Sequence, residues 1–246
     1  MPTVAELTDP LLGTYTQVLP VGPGVCNVCH GAPGSGYARC FSCTQSTRQV
    51  SRPIELVVPV SLTALLGQLH HSLRSYKQPS YPHQVRAKFG IQVGALLARF
   101  LATHGDCIRR ASGSDWDCIT IVPSSQGRAG AHPLEDALLL FPSLGAQYLA
   151  LLTPGDPGAD HNRASDMAYL AKPEADGLRV LLVDDTFTSG ARMQSAASAL
   201  QLSGASVVAA VPVGRVVNPG FNTESAALLA AARTRPFDFG VCCLHE

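Results

Sequence analysis

Asp184 and Asp185 stand side by side at the end of an aliphatic run, followed by the hydroxyls of Thr186, Thr188 and Ser189 and closed by Gly190, in the stretch VLLVDDTFTSG from Val180 to Gly190. The run Val180 to Val183 is too short for a helix and β-branched at both ends, as expected of a central strand in a parallel sheet covered on both faces. The aspartates then fall at the carboxyl edge, where ligands of open α/β sheets bind. Ala191 to Leu200 behind the loop are helix formers. Hydroxyls, backbone N–H groups and the positive end of a helix dipole therefore converge on one spot, an arrangement suited to a phosphate monoester. A strand ending in solvated aspartates before an ordinary Ser/Thr helix cap would use some of the same letters.

Sulfur offers a second chemistry. Cys26-x-x-Cys29 and Cys40-x-x-Cys43 are separated by ten residues within GVCNVCHGAPGSGYARCFSC. This spacing suits structural Zn²⁺ in a closed four-thiolate shell, which leaves no open position for catalysis. A pair of disulfides or a redox CxxC are the alternatives; a redox CxxC usually opens a helix after a strand, which neither pair is expected to do. Cys107 and Cys118 read as small buried residues. Cys242, Cys243 and His245 form a ligand-like group that would either replace a member of the zinc shell or add a second site, although four ligands are already present upstream.

A second strand, Asp117 to Val122, runs into Pro123-Ser124-Ser125-Gln126-Gly127-Arg128-Ala129-Gly130. Small residues let backbone amides approach an anion, and Arg128 offers a fixed fork for phosphate oxygens, although a surface turn with a solvated arginine has the same composition. The polar stretch from His161 to Asp166 has the character of a lid, from which Arg163 and Lys172 would supply charge. Leu62, Leu65, Leu66, Leu69 and Leu73 recur at helical spacing, as do Val85, Phe89, Val93, Leu96, Leu97 and Phe100, predicting two core-facing helices. Tyr76 and Lys77 follow the first, where basic side chains complement a helix C-terminus. Ser206 to Val213 reads as a further buried strand with Gly214 and Arg215 at its far end, and Phe221 to Arg235 as a helix capped near Asn222.

The chain has 246 residues, 46% hydrophobic and 15% charged, with 18 basic side chains balancing 18 acidic ones. It has length for one ordinary domain plus a small module, and no global basic field for nucleic acid. Residues 1–52, holding the zinc knuckle, and residues 53–246 are the expected units. No apolar stretch reaches the length of a membrane span, and no export signal precedes the eight cysteines. A cytoplasmic protein with reduced thiols and no membrane partner is expected.

The segment VLLVDDTFTSG resembles the phosphoribosyl-pyrophosphate (PRPP) motif of type I phosphoribosyltransferases. Together with the CxxC pairs, Tyr76-Lys77 and the VPSS strand end, the chain is similar to ComF-type, amidophosphoribosyltransferase-like proteins along nearly its whole length. The resemblance implies an α/β fold with a parallel sheet flanked by helices and a small N-terminal zinc knuckle of four cysteines. It implies that Asp184 and Asp185 take the ribose hydroxyls, partly through Mg²⁺, and that Thr186, Thr188, Ser189 and Gly190 grip the 5-phosphate. Ser124, Ser125 and Arg128 would hold pyrophosphate. The family commonly carries Arg-Gly-Phe-Asn-Gln after that loop, whereas this chain has Arg128-Ala129-Gly130-Ala131-His132-Pro133, so the ligand at that edge differs. Two functions follow: an Mg²⁺-dependent phosphoribosyl transfer to an unidentified small acceptor, or a PRPP- or nucleotide-sensing module. The second would use the knuckle for partner contacts, as in DNA-uptake competence, with a competence protein or single-stranded DNA as partner. The few basic residues near the knuckle, Arg39 and Arg48, weaken the DNA version.

Overall fold

A computed structural model describes residues 2–124, 132–155 and 162–245. Its elements in chain order are α1 (Val4–Thr8), α2 (Phe41–Arg48), β1 (Ser61–Ala64), α3 (Gln68–Ser75), α4 (His83–Ser112), β2 (Cys118–Ile121), α5 (Pro133–Leu139) and α6 (Pro142–Gly145). They continue with β3 (Leu152–Pro154), β4 (Tyr169–Ala171), β5 (Arg179–Phe187), α7 (Ala191–Leu202), β6 (Ser206–Val217) and α8 (Thr223–Ala232). The main sheet has the order β1-β6-β5-β2 with every pair parallel, and β3 and β4 form a separate antiparallel pair. A parallel bridge from Val57 to Ala210 extends the β1 side of β6 backward along the chain, and one from Ile119 to Tyr148 widens the sheet beyond β2. This is the expected α/β architecture with a parallel sheet flanked by helices.

Strand alternation explains how both faces are covered. Leu181 and Val183 of β5 join Val93, Leu96, Leu97 and Phe100 of α4 in one buried cluster, with Phe237, Phe239 and Cys242 of the C-terminal segment. Val180 and Leu182 point the other way, into a cluster with Ala196, Ala197 and Leu200 of α7 and all four knuckle cysteines. Gln194 of α7 fastens Ile54 to this face, accepting from its N–H at 2.9 Å and donating to its carbonyl at 2.7 Å. α4 runs 30 residues and ends at Gly113, whose φ of 70° suits a left-handed cap. Asn222 caps α8 as expected, accepting from the Ser225 N–H at 2.9 Å.

Four expectations change. Leu62 belongs to β1, and Leu65 and Leu66 lie exposed in the turn before α3, so the helical leucine spacing is a strand, a turn and a helix in succession. The strand expected to stop at Val183 continues through Phe187, shortening the loop to Thr188, Ser189 and Gly190. β6 likewise carries Gly214 and Arg215 inside it, because these residues pair with β1 on one side and β5 on the other. Cys40 is the N-cap of α2, so the second CxxC does open a helix, though no strand leads into it.

Candidate functional site

β5 delivers Asp184 and Asp185, both buried, to the carboxyl end of the sheet, and the same alternation that splits the core gives them separate surroundings. Asp185 lies on the α3 side. It accepts from the Tyr76 hydroxyl in a short hydrogen bond and from Lys77 Nζ at 2.7 Å. Gly214 faces this contact: a Cβ there would overlap the tip of the Leu73 side chain of α3, which packs into the space the glycine leaves. Burial pushes the Asp185 carboxyl up, but the Lys77 ammonium and the hydrogen bonds from Lys77, Tyr76 and Thr186 outweigh it and hold it below the ordinary 3.8. The Tyr76 phenol moves well upward, through burial first and the neighbouring Asp185 charge second.

Asp184 lies on the α7 side, near Arg192. Burial raises its carboxyl; Arg192 opposes the rise and Asp185 adds to it, leaving the group above its ordinary value. Arg192 is held in place by donation from Nη2 to the Pro123 carbonyl at 2.8 Å and from Nε to the Tyr169 hydroxyl at 3.2 Å. Pro123 and Ser124, the first residues of the second expected loop, follow β2 at the same end of the sheet. Ser125 and Arg128 lie outside the described residues.

The loop itself is short. Gly190 has φ +82°, and a Cβ there would also overlap the Phe187 ring. Ser189 Oγ accepts from the Ala191 N–H at 3.4 Å, and Gly190 offers its carbonyl to Gln194 N–H at 2.9 Å as α7 begins. Thr188 is exposed, Thr186 and Ser189 half-buried. Hydroxyls and the first N–H groups of α7 are thus presented beside the carboxylates, a donor set that fits a phosphate.

Behind the loop stands the knuckle. The sulfurs of Cys26, Cys29, Cys40 and Cys43 lie within 4.8 Å of one another, with Cys29 and Cys40 3.7 Å apart and all four present as free thiols. The Cys40 N–H donates to Cys26 Sγ at 3.3 Å. Hydrogen bonds from Cys29, Cys40 and Cys43 drive the Cys26 thiol far below its ordinary value, favouring a thiolate. This cluster can hold a structural metal ion, and four soft sulfurs suit Zn²⁺. Buried Arg215 of β6 donates from Nε to Cys29 Sγ at 3.2 Å and from Nη1 to the Phe187 carbonyl at 3.4 Å, with its guanidinium 5.2 Å from the Phe187 ring centre. One side chain therefore joins the sulfur cluster to the hydroxyl loop.

Position in the chain does not by itself bring Tyr76, Lys77, Arg192 and Arg215 to this place. Lys77 turns toward Asp185 instead of complementing the end of α3, where exposed Arg74 remains. A lone lysine after a helix carries no signal of this; the adjacent aromatic hydroxyl, capable of serving the same carboxylate, is the available clue. Of the lid residues, His161 lies outside the described residues, and Arg163 and Lys172 make no ion pair among them. Asp166 instead ties its segment to Ser51 and Ser198, accepting from their hydroxyls at 2.5 and 2.6 Å. No helix is long and apolar enough to cross a membrane among the described residues. No protein-family model matches the chain, and no curated protein matches it.

Proposed function

We propose that the chain binds PRPP with Mg²⁺ and transfers the phosphoribosyl group to a small acceptor, releasing pyrophosphate, as a relative of the ComF-type phosphoribosyltransferases. The observation that carries this reading is the junction of β5 and α7: two buried carboxylates, then a three-residue hydroxyl loop with a left-handed glycine, then a helix N-terminus. The loop hydroxyls and the Ala191 and Arg192 N–H groups take the 5-phosphate. Asp184 and Asp185 orient the ribose and stabilise the positive charge that grows on it as the C1–O bond to pyrophosphate breaks and the bond to the acceptor forms. Mg²⁺, when bound with PRPP, would supply charge neutralisation for the leaving pyrophosphate. Lys77 and Arg192 act through the carboxylates, fixing each on its own side of β5.

The test is PRPP calorimetry with and without Mg²⁺, paired with pyrophosphate release across nucleobases and amide donors. Asp184→Asn with Asp185→Asn should weaken PRPP at least about tenfold, the loss of roughly 1.4 kcal/mol. Unchanged affinity defeats the assignment.

A second reading draws support from the occupation of Asp185 by Tyr76 and Lys77. In it the same pocket senses PRPP or a nucleotide without turnover, and the knuckle contacts a partner in DNA uptake. Binding without release for any acceptor selects this reading.

A further inference from the structure

Far from β5 in sequence, α4 and the segment after α8 place four metal-ligating groups together: His104, Cys107, Cys242 and His245, with ligand atoms all within 4.8 Å. Their spacing is reciprocal. His104 and Cys107 are three apart on α4 and so share a helix face, and Cys242 and His245 are three apart in the C-terminal segment that folds onto it. Cys107 Sγ lies 3.7 Å from His104 Nδ1 and 3.2 Å from His245 Nε2. Tetrahedral Zn²⁺ with bonds of about 2.0–2.3 Å requires ligand atoms roughly 3.3–3.8 Å apart. Both distances fall close to that range.

The surroundings favour an ion over a set of packed neutral groups. His104, Cys107 and Cys242 are buried, and His104 Nε2 is a buried polar atom with no hydrogen-bond partner, although the Phe239 backbone faces its ring. A metal on Nδ1 would place the ring proton on Nε2, the tautomer in which a ligating histidine offers its other nitrogen as a donor. Arg110 Nη2 donates to Cys107 Sγ at 3.5 Å, placing a cation beside the sulfur. One contact must yield: the Cys242 N–H reaches His245 Nδ1 at 3.3 Å, and a metal on Nε2 moves the proton to Nδ1.

We infer that His104, Cys107, Cys242 and His245 form a second zinc site of two cysteines and two histidines, independent of the knuckle, that staples the C-terminal segment to α4. Two thiolates and two imidazoles select Zn²⁺ over the hard cations, and four protein ligands make the site structural. Its role is mechanical. Phe237 and Phe239 of the same segment pack edge-on against Tyr15, so the ion would lock the last covering of this side of the sheet.

The test is metal content of the full chain, reduced and loaded with Zn²⁺, by mass spectrometry. Cys107→Ser with Cys242→Ser should lose one zinc per chain relative to wild type. His245→Ala, a milder change at a half-buried position, should weaken one zinc at least about tenfold in competition with a chromophoric chelator. Cobalt loading adds a signature that folding alone would not move: the wild-type minus variant spectrum should be that of a two-sulfur, two-nitrogen site. Equal zinc content in wild type and both variants overturns the inference. So does a Cys107–Cys242 disulfide in unreduced protein whose zinc content His104→Ala leaves unchanged.

Discussion

The cysteine knuckle packs on the α7 face of the sheet, whereas the carboxylates at the end of β5 divide between its two faces, and the two sites are assembled in opposite ways. The knuckle's ligands come as two local pairs, each fixed by its own turn, and the chain need only bring the turns together. The carboxylates are adjacent in sequence but diverge in space, and each meets its cation from elsewhere; Lys77 reaches Asp185 across 108 positions. A local ligand set depends on its ion, whereas a distributed one depends on the packing of whole helices. Damage to the first should therefore abolish structure, and damage to the second should chiefly redistribute charge.

The largest effect is expected from Cys26→Ser with Cys40→Ser. These buried sulfurs belong to the same apolar cluster as α7, so losing the ion should cost on the order of 3 kcal/mol or more and strip zinc from the knuckle. Chemical denaturation with metal analysis checks it, and an unchanged midpoint would sever the knuckle from the fold.

Arg215→Met comes next, because it removes the link between the two regions. About 2–4 kcal/mol should be lost, with thiolate charge left unbalanced in the interior, and PRPP should bind more weakly though no ligand contact is altered. Stability falling while PRPP affinity holds would show that the regions are merely neighbours.

Lys77→Met should cost about 1–3 kcal/mol at neutral pH. Asp185 is depressed in the folded state, so its contribution is present above 3.8 and lost as pH falls through the lower folded value. The gap between variant and wild type should close in acid. A gap that is constant with pH would assign the loss to packing.

The smallest effect separates the two carboxylates. Asp184 is raised in the folded state, so wild type should lose stability relative to Asp184→Asn as pH climbs above 3.8 through the elevated value. Asp185→Asn should show the opposite trend. Melting curves at stepped pH read both, and parallel trends would mean the carboxylates share one environment after all.

Legibility follows the same division. The CxxC pairs, the aliphatic run into Asp184 and Asp185 and the cap at Asn222 are readable because each is written in contiguous residues. Leu62 misleads because a strand, a turn and a helix can place leucines at helical intervals by coincidence, and no local feature marks the change of element. β5 outruns its expected end because pairing with β6, a tertiary effect, extends a strand through residues that would otherwise form a loop. Arg192, eight residues past Asp184, gives no local sign of facing it, and Lys77 and Arg215 take their partners only when the completed sheet brings Asp185 and Cys29 opposite them. The His104 and Cys107 pair illustrates this best: unremarked on α4, it acquires meaning once Cys242 and His245 fold across it.

Gly214 gives this division a sharper form. It bears no reactive group, but the space its missing side chain leaves is filled by the tip of Leu73, one helical turn before the Lys77 that serves Asp185. A methyl at 214 would meet that tip, a flexible end that can turn aside, so Gly214→Ala is expected to cost packing at this seam and to leave α3 in place. The residue without a side chain thus marks where strand and helix mesh most tightly beside the buried acid.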